Sequence, residues 1–166
     1  TVMLLTCNQT LLGLLMVEDP IKPDAAELIT WCRQQGMQTV MLTGDHPQTA
    51  AYVNQQLGLD AMHAGCLPQD KHRFIQQAKT RGETVAMVGD GINDAAALAL
   101  ADVGFAMGSG SDVALANADM QLLNPSFATL IQTFGLAQAV MRNIKQNLWV
   151  SLIYNILLIP VAAGVL

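Results

Sequence analysis

Met87-Val88-Gly89-Asp90-Gly91-Ile92-Asn93-Asp94 decides how this chain reads: an apolar run breaks at a glycine into two carboxylates four residues apart. The pattern is that of a strand ending in a loop for phosphate and a divalent cation. Two acids so close repel each other and raise one pKa, unless a cation between them makes both charges useful. Oxygen-only ligands favour Mg²⁺ over softer metals. Gly89 and Gly91 let the backbone turn sharply against a ligand, Asp90 projects from the strand end and Asp94 from the following helix. Asn93 either caps that helix or donates to a phosphate oxygen. An ordinary turn does not need two carboxylates bracketing an amide at this spacing.

Working outward, the same strand-loop-helix logic recurs. Thr39 to Leu42 reads as a strand, Thr43-Gly44-Asp45-His46-Pro47 as a polar loop, and the residues up to Leu57 as a helix that Gly58 stops. Met62 to Ala64 is a short strand, followed by a helix from about Gln69 to Thr80. Beyond the acidic loop come an alanine-rich helix to about Ala101, a strand Val103 to Met107, a Gly-Ser loop to Asp112, a short helix near Val113 to Asn117 and a strand around Met120 to Leu123. Upstream, Val2 to Thr6 and Leu11 to Val17 read as paired strands. Pro20 and Pro23 then set up a helix with Asp24 and Glu27 in its first turn, apolar at Leu28, Ile29 and Trp31, and ended by Gly36. Alternating strands and helices predict an α/β fold with a parallel sheet covered on both faces, whose active groups collect at the carboxyl ends of the strands.

Two further loops carry weaker signals. Thr43-Gly44-Asp45 offers a hydroxyl, an unobstructed glycine amide and a helix N-terminus, which together make a small anion receptor; the same tripeptide also serves as an ordinary turn or cap. Lys71 falls in the first turn of its helix, where a cation opposes the dipole. A bound anion explains that placement, since the ammonium can neutralise a phosphoryl oxygen; taken alone, a solvated lysine beside Asp70 is the plainer reading.

Charge and hydropathy are unevenly spread. Residues 1 to 140 hold thirteen acids against six Lys or Arg, a balance of −7, and Arg142 and Lys145 add +2. An acidic surface excludes nucleic acid as a partner. From Gln146 to Leu166 no side chain is charged, a length that suits a membrane helix, with the two cations on its cytoplasmic side. Ser126 is a cap candidate for a connecting helix carrying Phe127, Leu130, Ile131, Phe134 and Leu136. Within the apolar run, Tyr154 and Asn155 are adjacent polar residues, costly in a bilayer unless they meet a partner helix or a ligand. The three cysteines, Cys7, Cys32 and Cys66, are too scattered for a disulfide framework or a Cys-x-x-Cys site and read as buried reduced thiols. Without an initiator Met, and ending within an apolar run, the chain reads as a piece of a longer protein.

Thr43-Gly44-Asp45, Pro68 to Lys71 and Gly89 to Asp94 together resemble, in order and spacing, the phosphorylation domain of P-type cation ATPases, a branch of the haloacid-dehalogenase-like fold. Ala101-Asp102-Val103-Gly104-Phe105-Ala106-Met107-Gly108-Ser109-Gly110-Ser111-Asp112-Val113-Ala114 is similar to the heavy-metal subgroup. Asn147-Leu148, Ile153-Tyr154-Asn155 and Ile159 to Gly164 are similar to the copper(I) exporters. Zinc and cadmium exporters carry a lysine in that region, and none follows Lys145 here. The resemblance implies a partial phosphorylation domain over 1–125, a connecting helix over 126–145 and a transmembrane helix over 146–166. It implies that Thr43 and Gly44 bind the transferred phosphoryl group, that Lys71 neutralises it, and that Asp45 positions the nucleotide end. Asp90 would hold Mg²⁺ with Asn93 and Asp94 supporting, the glycines Gly89 and Gly91 would admit ATP, and Tyr154 and Asn155 would ligate Cu⁺, or silver, within a bilayer.

Two departures stand out. Ala96 replaces a usual proline, and no aspartate here has the Asp-Lys-Thr-Gly-Thr context of the family's nucleophile. The implied protein is an ATP-driven export pump in a bacterial-type inner membrane, multi-pass, with its phosphorylation domain in the cytoplasm and its remaining parts upstream and downstream of this chain. A soluble phosphatase of the same superfamily and a non-catalytic Mg²⁺- or phosphate-binding relic share the three loops and remain as alternatives.

Overall fold

The computed structural model describes residues 2–8, 10–16, 20–90, 92–108 and 116–164. Gly91 and the 109–115 stretch of the Gly-Ser loop, with most of the short helix expected near Val113, lie outside them.

Strands β1 (Val2–Cys7) and β2 (Thr10–Met16) pair antiparallel. They turn at Asn8, whose φ of 45° lies in the left-handed region that asparagine tolerates. Among the described residues this hairpin belongs to no larger sheet, and Leu4, Leu5, Leu11, Leu12 and Leu14 are exposed.

The α/β body follows: α1 (Ala25–Gln34), β3 (Val40–Leu42), α2 (Pro47–Leu57), β4 (Ala61–His63), α3 (Pro68–Thr80), β5 (Ala86–Gly89), a 3₁₀ turn at Ile92–Asp94, α4 (Ala95–Leu100), β6 (Val103–Met107) and β7 (Met120–Leu122). The expected punctuation marks the helices. Pro47 and Pro68 open α2 and α3, where a missing N–H costs nothing. Gly58 ends α2 in the left-handed conformation, φ 66°.

Among the described residues every pairing in the body is parallel, and the sheet is in two pieces. Val40, Met41 and Leu42 of β3 face Ala61, Met62 and His63 of β4, whereas Val88 of β5 faces Phe105 of β6 and Phe105 faces Met120 of β7. Among the described residues β3 is bonded to β4 alone and β5 to β6 alone, so each keeps one edge without a strand.

Alternation along the strands builds a core on each face. Val85 and Met87 pack against Ile75 of α3 and Ala97 and Ala101 around α4. Val88 and Val103 point the other way, into a cluster of Phe105, Met107, Leu122 and Leu130 that Leu28, Phe127 and Phe134 complete. Gly104 lets α4 lie directly on the sheet: a Cβ there would stand 2.7 Å from the Leu98 carbonyl oxygen.

The last helix, α5, runs unbroken from Phe127 to Ala162, so the backbone has no joint at the expected boundary between connecting and membrane helices. Ser126 caps it, accepting the Ala128 N–H at 3.1 Å. Leu130 is 3% exposed and Leu136 66%, so the close packing of α5 against the body ends in its first turns. Among the described residues no helix is long and apolar enough to cross a membrane. The helical part of the uncharged run is about 17 residues, roughly 25 Å, at the short limit for a hydrocarbon core of about 30 Å, and Asn147, Ser151 and Asn155 dilute it. The cysteines are unpaired as expected, but not buried: Cys7 is exposed, and Cys32 and Cys66 are half-buried.

Candidate active site

Two loops leave the carboxyl ends of parallel strands, and a lysine joins the elements behind them. Thr43 extends β3 by one residue, its N–H donating to the His63 carbonyl at 3.0 Å. Its hydroxyl donates to Asp45 Oδ2 at 2.8 Å and accepts the Asp45 N–H at 3.1 Å, closing a tight polar turn. The Cys66 N–H donates to the Thr43 carbonyl and the Gly65 N–H to the Asp45 carbonyl, both at 2.9 Å, which sews the turn to the loop before α3. A Cβ on Gly44 would lie 3.5 Å from the Cys66 carbonyl oxygen, an ordinary contact, so glycine here leaves room rather than relieving a clash. The cap of α2 is His46, whose ring nitrogen Nδ1 accepts the Gln48 N–H at 3.3 Å. Sequence reasoning passed over both His46 and Cys66; the position of His46 directly before Pro47 was the signal for the first, and nothing local signalled the second.

Lys71, in the first turn of α3, donates to Asp94 Oδ1 at 2.7 Å, and both side chains are only 13% exposed. Asp70, the alternative local partner, accepts the Leu67 N–H instead at 3.0 Å and thereby caps α3. The cation that opposes the dipole of α3 is therefore balanced by a carboxylate 23 residues away, at the end of the acidic loop. Gly89 makes this possible. A Cβ on Gly89 would meet Asp94 Cβ at 2.8 Å and Cγ at 3.0 Å, so only a bare backbone lets the Asp94 side chain fold over the strand end.

Asp90 and Asn93 are exposed at the mouth of this arrangement, and Asp94 is buried behind them. Among the described residues there is no group of three or more His, Cys, Asp or Glu that could hold a metal ion. Mg²⁺ needs none, because it takes one or two carboxylates and completes its octahedron with water and phosphate oxygens. The donors here are all oxygens, so the residues fit that ion. The structure thus brings Lys71, Gly89 and Asp94 together, with Asp90 and Asn93 on the same loop, and holds Thr43, Gly44 and Asp45 on the turn sewn to the start of α3. Tyr154 and Asn155 stand apart, exposed on the bare stretch of α5.

The sequence profile of the haloacid dehalogenase-like hydrolases matches residues 1–102. Over 154 residues the chain is 51% identical to the copper-exporting P-type ATPase of Vibrio cholerae, covering 93% of this chain and 17% of that protein. Over 165 residues it is 44% identical to the probable copper-importing P-type ATPase A of Enterococcus hirae, covering 98% and 23%. The crystal structure of a zinc-transporting PIB-type ATPase in its E2.Pi state matches with a TM-score of 0.86 and 40% identity, over 99% of this chain and 27% of that one. The chain spans about a fifth of the length of the curated relatives it matches. Polar loops at the carboxyl ends of parallel strands, the profile match and these likenesses lead to one conclusion: the chain belongs to the haloacid dehalogenase-like hydrolase family and is homologous to the heavy-metal-transporting P-type ATPases.

Proposed function

We propose that this chain is the later part of the phosphorylation domain and the following helix of an ATP-driven copper(I) pump that works through an aspartyl-phosphate. The observation that carries the reading is the Lys71–Asp94 pair at 2.7 Å, which binds the helix after the Thr43 turn to the acidic loop and so gathers cation and carboxylates at one end of the strands. The open edges of β3 and β5 support it, because a parallel strand from another part of the protein, ending in the attacking aspartate, suits that position.

In this reading the γ-phosphoryl group passes from ATP to that aspartate. The protein contributes position and charge rather than covalent chemistry. The Thr43 hydroxyl, once released from Asp45, and the Gly44 amide bind phosphoryl oxygens, and Asp45 positions the nucleotide end. Lys71 neutralises the developing charge while Asp94 holds its ammonium in place. Asp90 would hold Mg²⁺ with Asp94 and Asn93 supporting, and Gly89 and Gly91 would admit the nucleotide. When bound, Mg²⁺ supplies charge neutralisation at the phosphoryl oxygens.

At the far end, Trp149, Tyr154 and Ile159 are each about two-thirds exposed, and apolar residues occupy every side of α5 beyond Lys145. A helix apolar all round is a buried or a membrane helix. We assign this part to the bilayer of a multi-pass membrane protein whose α/β body lies in the cytoplasm, with Arg142 and Lys145 at the interface. Tyr154 and Asn155 would then contribute to a Cu⁺ site that thiolates from elsewhere complete, soft ligands being what copper(I) selects. Copper relatives work in opposite named directions, so export rests on the sequence resemblance.

Asp90→Ala in the full-length protein tests the reading. Phosphoenzyme formed from ATP should fall by about 10²–10³, the usual cost of losing one such electrostatic contact, while wild-type turnover responds to Cu⁺ and not to Zn²⁺. Normal labelling of the variant refutes the role of Asp90, and stimulation of the wild type by Zn²⁺ alone refutes the metal.

A further inference from the structure

Lys22 and Asp24 belong to none of the loops above, yet both reach across the molecule to the base of α5. The Ser126 hydroxyl donates to Asp24 Oδ2 at 2.7 Å, and the Ala128 N–H donates to the same oxygen at 3.2 Å. Asp24 occupies the cap position of its own helix, α1, but makes no side-chain cap bond there. Its carboxylate serves the N-terminus of α5 instead, where negative charge is favoured. Lys22 completes the junction: Nζ donates to the Pro125 carbonyl at 3.1 Å and lies 5.2 Å from the centre of the Phe127 ring.

Beneath this polar junction Phe134 is wedged between Trp31 and Phe105, with ring centres 5.3 and 5.5 Å away. Past Phe134 the apolar side chains of α5 are largely exposed, Leu136 by 66% and Leu148 by 69%. The fastening of a 36-residue helix is therefore concentrated in its first two turns. Such a helix is about 54 Å long, so a tilt of about 5° at the base moves its far end by roughly 5 Å. Slack in that joint would dissipate any movement begun at the phosphate loops.

We propose that Lys22 and Asp24 are positioning residues that lock the base of α5 to the α/β body, so that rearrangement at the Thr43 and Asp90 loops is delivered along α5 instead of being absorbed at Pro125–Ser126. The transmitted part rests on the pump reading; the lock itself does not.

The experiment uses the full-length protein carrying Asp24→Ala, Asp24→Asn or Lys22→Met, with three readouts: phosphoenzyme from ATP, metal-stimulated turnover, and amide hydrogen exchange over 126–134. Asp24→Ala should leave phosphoenzyme at the wild-type level, lower turnover about tenfold, within the range of ordinary intersite coupling, and speed exchange over 126–134. Lys22→Met should do the same to a smaller extent. Asp24→Asn should restore both, because its amide oxygen can accept both bonds. Unchanged exchange in Asp24→Ala overturns the lock. Faster exchange with unchanged turnover, or phosphoenzyme falling in step with turnover, overturns the transmission. A wild-type protein that never takes phosphate from ATP but shows faster exchange in Asp24→Ala sinks the pump reading and leaves the lock standing.

Discussion

At the two ends of its parallel strands this molecule uses the same side chain in opposite ways. At the amino ends, three aspartates each sit directly before one strand and hold its neighbour. Asp60, before β4, accepts the Thr39 N–H at 2.7 Å and the Thr39 hydroxyl at 2.8 Å. Asp102, before β6, accepts the Val85 N–H at 2.8 Å and pairs with Lys79 at 3.0 Å. Asp119, before β7, accepts the Gly104 N–H at 2.8 Å. At the carboxyl ends the Asp45 carboxylate bonds within its own turn, Asp90 is exposed, and Asp94 pairs with a lysine. The amino-end acids fix register by satisfying amides that the ladder leaves open. At the carboxyl ends, where helix N-termini supply positive potential, the carboxylates hold no neighbouring strand and Asp94 balances a lysine instead.

The largest effect should come from Lys71→Met. It removes the largely buried cation at the carboxyl end and strands Asp94 as an unpaired, largely buried carboxylate, which costs about 3 kcal/mol in a urea titration. In the full-length protein phosphoenzyme formation should drop by about 10²–10³. Retention of both stability and labelling would erase the distinction between the two ends. The next comparison is between two crowded glycines. Gly104→Ala, at the amino side, and Gly89→Ala, at the carboxyl side, each force a contact under 3 Å and should destabilise by about 1–3 kcal/mol. Only Gly89→Ala should also depress phosphorylation when measured well below its unfolding transition, because it is Asp94 that must move.

The smallest effect is an acid one. Hydrogen bonds from Thr39 hold the Asp60 carboxyl below its ordinary pKa, and the Val85 amide, with Lys79 beside it, does the same for Asp102. A folded pKa below the unfolded one contributes stability that is fully present above about 3.8, the ordinary value, and is lost as pH falls through the depressed folded value. Asp102→Asn should therefore flatten the fall of stability below about pH 4 in acid titrations followed by circular dichroism. An unchanged acid limb would mean that Asp102 contributes nothing through its charge.

Much of the body was legible in the sequence because its signals are local. Val103 to Met107 is a strand as read, Gly36 and Gly58 stop their helices, and Ser126 caps α5. The three loops carry their residue types in short runs, which is why Thr43, Lys71 and Asp94 could be named together. Their wiring was not legible. Asp70 is next to Lys71 in the chain, but caps α3, while the partner of Lys71 is 23 residues away. Asp24 reads as a first-turn acid of α1 and spends its carboxylate on α5, 104 residues on. Leu136 fits the apolar spacing of its helix and is still 66% exposed, since periodicity marks a face but not where the neighbouring surface ends.

The sequence by itself determined which stretches are strands, helices and turns, and which loops hold carboxylates, a hydroxyl and a lysine, because propensity, capping and turn chemistry act over a few residues. Only the tertiary structure decided that Lys71 belongs to Asp94, that Gly89 exists to admit that carboxylate, and that Lys22 and Asp24 hold the base of α5. Those pairings depend on the packing of helices against two faces of a parallel sheet, which brings together groups that lie far apart along the chain.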